Sequence, residues 1–440
     1  MAKSPREKAI PLGKLKLPPW PLVLKIFVIL GLPLLIRIII SDDARVDPVG
    51  DATMYVNMAK NFAEKSYLGI GDGPDMSRPI FYPFILGLIA KIVQAPITYW
   101  FYTVVNAVFD GLSIFLLMRI AQRVAPESWR WGALFVGLSP LWFAHVNNPI
   151  TEPLSVLLFM AFLERWTLPD RNLRDDVLAG LYCGMLTLTR SMFLYFPVGL
   201  LIFEALFRKS PKGLRAEGRE RFYFLGGAYA PSLWFGLRNF FSLGMFTLGQ
   251  GSGTATYMAW CALKVPLLDW RNDADVNFLK NHPWGDVLVG GRVTPERYAE
   301  VMKLMNAEVM DALQHHPWLY IKNIPAKFWR LWMGGWWNPF PYIYSPPYLG
   351  SVYVWVFAFP VLFFGLIGIA SQWNRGKSKG DRNLDLGNYV SQWRATRAQI
   401  FVAIYITGVT LPFTVDARYS LPAYVGFAIW LGVGLRKVSI

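Results

Sequence analysis

The acidic residue Asp51 lies just beyond the first long apolar run of the chain, in the stretch 50–55 (GDATMY). This stretch opens a helix that we expect to lie flat on a membrane, which places Asp51 at the boundary between hydrocarbon and water. A carboxylate at that boundary can act as a general base for a water-soluble hydroxyl that attacks a lipid-carried group. The alternative is structural, because Asp51 can serve as the helix N-cap and accept backbone N–H bonds. The two roles are compatible.

A second carboxylate, Glu152, stands at the start of another apolar run, in the stretch 151–154 (TEPL). One interpretation is that it only favours the positive end of the helix dipole. If its turn faces the same cavity as Asp51, Glu152 can also orient the acceptor or tune the pKa of the base. Asp51 and Glu152 are therefore the candidate catalytic residues.

Three arginines, Arg190, Arg238 and Arg418, lie at the ends of apolar runs. An arginine in such a place can simply extend towards lipid headgroups. If the three guanidinium groups converge, however, they can bind the phosphate of a lipid-linked substrate. Asn239 and Tyr419 directly follow two of these arginines, and we include both among the candidate substrate-binding residues.

Other residues that could bind a metal or a nucleotide are not arranged to do so. The four histidines have no metal-ligand spacing, and Cys183 and Cys261 indicate neither a disulfide framework nor a thiolate site. The glycines of 249–253 lack the preceding strand and following helix of a nucleotide-phosphate loop, so a flexible acceptor loop is the better interpretation. We predict no metal and no cofactor; a divalent metal is conceivable but has no support in the sequence.

The composition is that of a membrane protein. The chain has 440 residues, of which 54% are hydrophobic and 16% aromatic, and it contains several apolar runs of roughly 17 to 22 residues, enough to cross a hydrocarbon core. The formal net charge is +15. Because Lys and Arg cluster in short segments between apolar runs, we interpret this charge as cytoplasmic loops that face anionic lipid rather than as nucleic-acid binding.

Hydropathy and charge together predict about ten full spans with both termini in the cytoplasm. With this orientation every short basic segment faces the cytoplasm, as the positive-inside rule requires. The first span is too long for a signal peptide and is predicted to remain as an anchor. The predicted spans are 20–40, 98–118, 131–148, 152–168, 176–190, 191–207, 222–241, 350–372, 398–414 and 418–435.

The apolar run 80–95 is ambiguous, because a full span there would turn every later basic loop outward. We predict a re-entrant or interfacial helix instead. Two extracytoplasmic regions result, 41–97 and 242–349. The second contains a predicted amphipathic helix from Thr294 to just before Pro317 and an aromatic and basic stretch, 327–332, that is typical of an interfacial belt.

These residues and their order resemble the GT-C superfamily of membrane glycosyltransferases, specifically the branch of protein O-mannosyltransferases and lipid A aminoarabinose transferases. The resemblance covers most of the chain. Ala52 departs from it, since many relatives carry a second acid there, and a role that needs this acid is in doubt. The matching elements are Asp51 with Tyr55 and Ala59 at four-residue spacing, Arg78-Pro79-Ile80-Phe81-Tyr82, Thr151-Glu152-Pro153-Leu154, Thr189-Arg190-Ser191, Pro231 to Arg238-Asn239 followed by Gly244, and Arg418-Tyr419 with Pro422.

The resemblance implies an all-α, polytopic transmembrane helical bundle in which residues 1–440 form a single integral membrane glycosyltransferase domain. Region 41–97 would carry the catalytic carboxylate and interfacial helices, and region 242–349 would cover the site. The donor would be a sugar on a polyprenyl monophosphate, and the acceptor would be a hydroxyl of a lipid, glycan or protein. Transfer would occur with inversion on the outer face of a bacterial inner membrane. Substrate-binding residues would be Tyr55, Arg78, Arg190, Arg238, Asn239, Arg418 and Tyr419.

Other classes of membrane protein remain open from the residues. A transporter or lipid flippase would also place charges at membrane depth, although transporters usually show related halves that this sequence lacks. A ligase that transfers a whole glycan from a diphosphate lipid would need a similar outer site. A structural scaffold is the third alternative, and the outer carboxylates and arginines argue against it.

Overall fold

The computed structural model describes residues 51–69, 78–126, 128–139, 146, 148–206, 214–244, 246, 253–265, 273–285, 295–333, 356, 359–375, 386–412 and 417–438. Within these ranges the ordered elements are helices and no strand occurs. The prediction of an all-α protein is therefore confirmed for the described residues. The predicted first span, 20–40, lies outside them.

The helices of the first half are α1 (Asp51–Lys65), α2 (Phe81–Val93), α3 (Tyr99–Val124), α4 (Trp129–Leu138), α5 (Glu152–Trp166), α6 (Leu173–Thr189) and α7 (Phe196–Leu206), with a 3-10 helix at Ser191–Phe193. Those of the second half are α8 (Leu214–Leu243), α9 (Gly253–Lys264), α10 (Asp273–Asn281), α11 (Pro295–His315), α12 (Trp318–Ile321), α13 (Ile324–Met333), α14 (Phe359–Arg375), α15 (Leu386–Thr410), a 3-10 helix at Ala417–Ser420, α16 (Leu421–Ala428) and α17 (Leu431–Val438).

Helix α5 lies in the interior of the bundle. Most of its side chains are buried, and it contacts α3, α6, α15 and α16. A helix that is enclosed on all sides needs apolar residues around its whole circumference, which is why its sequence shows no polar face. The carboxylates at its two ends, Glu152 and Glu164, are about 18 Å apart along the helix axis at 1.5 Å per residue.

Helices α6 and α8 cross in close contact because both carry glycine at the crossing. A Cβ added at Gly180 would lie 2.2 Å from the carbonyl oxygen of Phe224, and one added at Gly227 would lie 2.5 Å from that of Val177. Small residues of this kind let membrane helices pack backbone to backbone. The crossing fixes the end of α6, where the chain turns at Arg190.

Basic residues gather at the end of the bundle that is opposite Glu152. Arg119 and Arg123 on α3 each lie 3.1 Å from a carboxylate oxygen of Glu164. Arg394 on α15 donates to the carbonyl of Leu168, just after α5, at 2.6 Å. Three segments that we predict to be cytoplasmic loops are thus held at one end of the bundle, while both candidate carboxylates belong to segments at the other.

Two predicted helices outside the spans are confirmed. The ambiguous run 80–95 forms α2, whose 13 residues extend only about 20 Å. That length falls short of the roughly 30 Å of a hydrocarbon core, as expected for a helix that does not cross fully. The amphipathic helix predicted from Thr294 to before Pro317 is α11, Pro295–His315.

The predicted spans match the helices less well. In the part of the chain that is described, α3 is the one helix with both the length and the apolar character to cross a membrane. The predicted span 191–207 is divided into a 3-10 helix and α7, and the predicted span 418–435 is divided into a 3-10 helix, α16 and α17. Prolines at 197 and 422 lack the N–H that a continuous helix uses. The number of about ten spans stays a prediction.

Candidate active site

Asp51 is held by a hairpin of two helices, α1 and α2. It is the first residue of α1, and its Oδ1 lies 3.0 Å from Nε of Arg78, which precedes α2. The hairpin is tight because Gly87 of α2 faces the carbonyl oxygen of Ala59, where a Cβ would lie only 2.5 Å away. The ion pair is partly exposed, with 41% of the Asp51 side chain accessible. The Asp51 side chain is therefore partly accessible.

Glu152 forms a buried ion pair with Arg190. The pair joins the first residue of α5 to the residue that ends α6, and both side chains are less than a tenth exposed. Nε of Arg190 also donates to Oγ1 of Thr151 at 3.3 Å. The guanidinium carbon lies 5.1 Å from the centre of the Tyr419 ring. The alternative that Arg190 extends towards lipid headgroups is wrong, since the side chain points into the protein.

Tyr55, one turn after Asp51, connects the two ion pairs. Burial raises the pKa of its phenol well above the usual value, and the charges of Asp51 and Glu152 raise that pKa further. The charges of Arg78 and Arg190 act on the same phenol in the opposite direction. Because such effects weaken with distance in a screened medium, the two candidate carboxylates and their two arginines lie within electrostatic range of one tyrosine.

Asn106, on α3, forms hydrogen bonds that connect α2 with the residues before α5. Its side-chain amide accepts a hydrogen bond from the Tyr82 hydroxyl at 3.1 Å and donates to the carbonyls of Val146 and Asn148 at 3.2 and 3.0 Å. The Tyr82 ring in turn meets the Tyr55 ring edge to face, with centroids 5.9 Å apart. A single buried amide thus links α2 to the turn that leads into Glu152.

Arg238 and Asn239 hold the segment that follows α1. Arg238 donates to the carbonyl of Leu68 at 2.8 Å and to Oδ1 of Asn239 at 2.7 Å. Asn61 donates to the carbonyl of Gly69 at 2.9 Å, which fixes the same segment from the other side. These contacts place both residues beside the first outer region. Their participation in phosphate binding stays a prediction.

Of the remaining candidates, Tyr419 contacts Arg190 and therefore lies beside the Glu152–Arg190 ion pair. Arg418 belongs to the 3-10 helix Ala417–Ser420, but its side chain lies outside the described residues. The convergence of Arg190, Arg238 and Arg418 on one phosphate therefore stays a prediction.

A helix of the long outer region approaches the same place. Burial and the neighbouring Cys261 raise the pKa of Tyr257 on α9, and the charges of Arg78 and Asp51 also act on this phenol. Tyr257 thus lies within electrostatic reach of the Asp51–Arg78 pair. The expectation that region 242–349 covers the site stays a prediction.

Sequence reasoning missed Asn106, Tyr257 and the role of Tyr82. The signal for Asn106 was present, because a polar residue inside an apolar span calls for a partner or a function. Tyr257 gave no such signal, since nothing in a loop sequence tells which part of the protein it contacts. Among the described residues, no group of three or more His, Cys, Asp or Glu side chains is arranged to hold a metal ion.

No protein-family model matches the chain, and no curated protein matches its sequence. Among solved structures, the archaeal oligosaccharyltransferase AglB from Archaeoglobus fulgidus, in complex with an inhibitory peptide and a dolichol-phosphate, aligns with a TM-score of 0.51 at 14% identity, over 95% of this chain and 51% of that chain. The apo form of the Archaeoglobus fulgidus oligosaccharyltransferase gives a TM-score of 0.51 at 12% identity, over 94% of this chain and 51% of that chain.

ArnT from Cupriavidus metallidurans, bound to undecaprenyl phosphate, gives a TM-score of 0.39 at 14% identity, over 94% of this chain and 78% of that chain. This score is too low to establish a shared fold. The branch within the superfamily therefore stays a prediction.

The chain spans about half the length of the oligosaccharyltransferase that it matches, so the comparison concerns the fold and not the whole activity. The resemblance to the superfamily is confirmed at the level of the fold. The chain has the GT-C fold that this oligosaccharyltransferase shows.

Proposed function

We propose that the chain is an inverting glycosyltransferase that moves one sugar from a polyprenyl monophosphate to a hydroxyl acceptor on the extracytoplasmic face of the membrane. The observation that carries this proposal is the pairing of each candidate carboxylate with an arginine, Asp51 with Arg78 and Glu152 with Arg190. The charges of all four groups act on the phenol of Tyr55. The GT-C fold supports transfer of a sugar in general. The donor and acceptor classes rest on the motif resemblance.

The proposed reaction is a single displacement. The acceptor oxygen forms a bond to the anomeric carbon while the bond from that carbon to the phosphate oxygen breaks. The proton of the acceptor hydroxyl passes to the Asp51 carboxylate, and the electron pair of the broken bond remains on the lipid phosphate. Nε of Arg78 lies 3.0 Å from Oδ1 of Asp51, so Arg78 would orient the base.

Glu152 and Arg190 would form the second half of the site. The buried Glu152 carboxylate accepts a hydrogen bond from the Arg190 guanidinium. This contact fixes the arginine beside Tyr419. We propose that the fixed guanidinium stabilises the charge that develops on the leaving phosphate, together with Arg238 and Arg418. Tyr55 and Asn239 complete the proposed substrate-binding residues.

The proposed topology follows from the difference between the two ends of the bundle: basic residues gather at one end, and the candidate carboxylates lie at the other. About ten spans would cross a bacterial inner membrane, with both termini and the basic end in the cytoplasm. Residues 1–440 would act as a single domain in which region 41–97 carries the base and region 242–349 covers the site. The AglB structure holds a dolichol-phosphate, and the lipid phosphate of the donor, a polyprenyl-phosphate sugar, would be held between helices in the same way here. Lipid, glycan and protein hydroxyls all remain possible acceptors.

The proposal is tested with the purified protein in nanodiscs and a panel of polyprenyl-phosphate sugars, with products identified by mass spectrometry. Asp51→Asn is expected to lower turnover by at least the ~10²- to 10⁴-fold that a general base contributes, while membrane insertion is retained. Glu64→Gln, on the exposed far end of the same helix, is the matched control. Comparable turnover of Asp51→Asn and Glu64→Gln would remove Asp51 as the base. Transfer of a preassembled glycan from a diphosphate lipid would instead favour the ligase.

A further inference from the structure

Helix α13 has an unusual distribution of polarity. Its basic residues Lys327 and Arg330 are buried, whereas its aromatic residues Phe328 and Trp329 are 49% and 55% exposed. In a water-soluble protein the reverse is expected, because burying a charge costs free energy unless it is paired. We predicted this stretch to be an interfacial belt. Its exposed aromatic residues Phe328 and Trp329 remain suited to lipid contact, but its third aromatic residue, Trp332, is buried and its cations point into the protein.

The ammonium group of Lys327 is largely without a counter-charge. The residue is fully buried, and its Nζ donates to the backbone carbonyl of Leu411 at 3.2 Å. An ammonium group has three N–H donors, and among the described residues no carboxylate pairs with this one. Desolvation lowers the pKa of Lys327 to about 8, so the group is still mainly protonated near neutral pH.

Helix α13 lies next to the candidate active site. It packs against the 3-10 helix Ala417–Ser420, which carries the Tyr419 ring that contacts Arg190. Besides the bond from Lys327, the indole Nε1 of Trp332 donates to Oγ1 of Thr407 at 3.1 Å. These two bonds fix α13 against the end of α15, so the direction of the Lys327 side chain is determined by packing.

We propose that Lys327 is a phosphate-binding residue, and that its ammonium group binds the phosphate oxygens of the lipid-linked donor. The inference rests on the proposed function for the identity of the donor. Arg78 and Arg190 are already paired with the carboxylates of Asp51 and Glu152, whereas Lys327 has unused donors. An incoming phosphate supplies the negative charge that this buried cation lacks, and the charge that grows on the leaving phosphate strengthens the interaction.

The experiment measures binding of undecaprenyl phosphate to the full-length protein in nanodiscs, with undecaprenol and inorganic phosphate as comparison probes. Lys327→Gln is expected to weaken binding of undecaprenyl phosphate at least tenfold, and Lys327→Arg is expected to retain most of it. Lys322→Gln is the matched control, because Lys322 is exposed on the same segment and should have no effect.

Unchanged binding in Lys327→Gln would overturn the inference, as would inorganic phosphate that binds as tightly as the lipid. If Lys327→Gln does not fold, solid-state NMR on wild-type protein with ¹⁵N-labelled lysine measures contact between a lysine Nζ and the lipid ³¹P. Loss of that contact in Lys327→Arg supports the proposal, and its absence in wild type overturns it. If lipid binding depends on Lys327 but no sugar is transferred, the proposed function is contradicted and the inference about Lys327 is not.

Discussion

The carboxylate of Glu152, at the start of α5, and the guanidinium of Arg190, at the end of α6, form an ion pair in which both side chains are buried. A buried ion pair contributes little net stability, but loss of one partner leaves an uncompensated charge that typically costs ~3–5 kcal/mol. We therefore expect Glu152→Gln and Arg190→Gln each to lower the unfolding temperature strongly. The double variant should recover part of this loss because no lone charge remains, yet it should stay inactive. Thermal unfolding in detergent, followed beside sugar transfer, measures both effects.

A matched control for this prediction is Arg78→Gln, which breaks the partly exposed pair with Asp51. Exposed pairs contribute only ~0–1 kcal/mol, so the unfolding temperature should hardly change while turnover falls. Equal destabilisation by Arg78→Gln and Arg190→Gln would contradict the difference in burial.

Residue types and motif order are sufficient to select candidate site residues along the chain, but not to predict which of them pair. Asp51, Glu152 and Arg190 stand at breaks between apolar runs, and such breaks can be recognised from hydropathy alone. The pairs Asp51–Arg78 and Glu152–Arg190 depend on how helices cross, which hydropathy does not encode. The same limit explains why the burial of Lys327 was not predicted, because an aromatic and basic stretch has the same composition whether its cations face water or the protein.

Helix boundaries were predictable only where the apolar run and the helix coincide. Helix α3 (Tyr99–Val124) nearly does so, since the predicted span 98–118 begins one residue before it and ends six residues before its last residue. Helix α15 begins at Leu386, about three turns before the predicted span 398–414, because the hydropathy window excludes the polar residues of its first turns. The division of 418–435 has two local causes that an average over a long window conceals: Pro422 lies in the first turn of α16, and i to i−3 hydrogen bonds at Ile429 and Trp430 end that helix.

The close crossing of α6 and α8 gives a second prediction from two adjacent glycines. A Cβ at Gly227 would collide with the carbonyl oxygen of Val177 at 2.5 Å, whereas one at Gly226 has no atom within 4 Å. Gly227→Ala should destabilise the protein by ~1–3 kcal/mol through overpacking. Gly226→Ala should be neutral or slightly stabilising, since alanine favours helix by roughly 1 kcal/mol. Unfolding temperatures of the two variants provide the comparison, and equal values would contradict the backbone contact.

The hydrogen bonds of Asn106 lead to a third prediction. Asn106→Ala leaves the Tyr82 hydroxyl and two backbone carbonyls without this partner, and an unsatisfied buried group costs ~1–3 kcal/mol. Because one of these carbonyls belongs to the turn before Glu152, kcat should fall more than stability alone explains. Ser113→Ala on the same helix is the control, since its hydroxyl bonds only within the helix to the Phe109 carbonyl. A kcat equal to that of Ser113→Ala would exclude a positioning role for Asn106.

The helices of the long outer region give a pH-dependent prediction. Partial burial alone would raise the pKa of Glu308, but hydrogen bonds from Lys264 and Trp260 outweigh this effect and lower it below its usual value. Burial lowers the pKa of His282, whose ring contacts Trp260. A lowered pKa in the folded state means that each group stabilises the fold above its unfolded pKa and ceases to do so as the pH falls through its folded pKa.

Stability of the outer region should therefore be constant above about pH 6.5, the usual pKa of histidine, and should decrease below it, first as His282 takes up a proton and then as Glu308 does. The protection factors for amide hydrogen exchange in α9 and α11, followed as a function of pH, measure this decrease. Glu308→Gln should reduce the decrease in stability below about pH 4.5, the range in which glutamate takes up a proton. Glu300→Gln should not, because Glu300 pairs at the surface with Arg297. Protection factors, which correct the exchange rates for their intrinsic pH dependence, that rise on acidification would contradict both pKa shifts, since protonation would then stabilise this part of the fold.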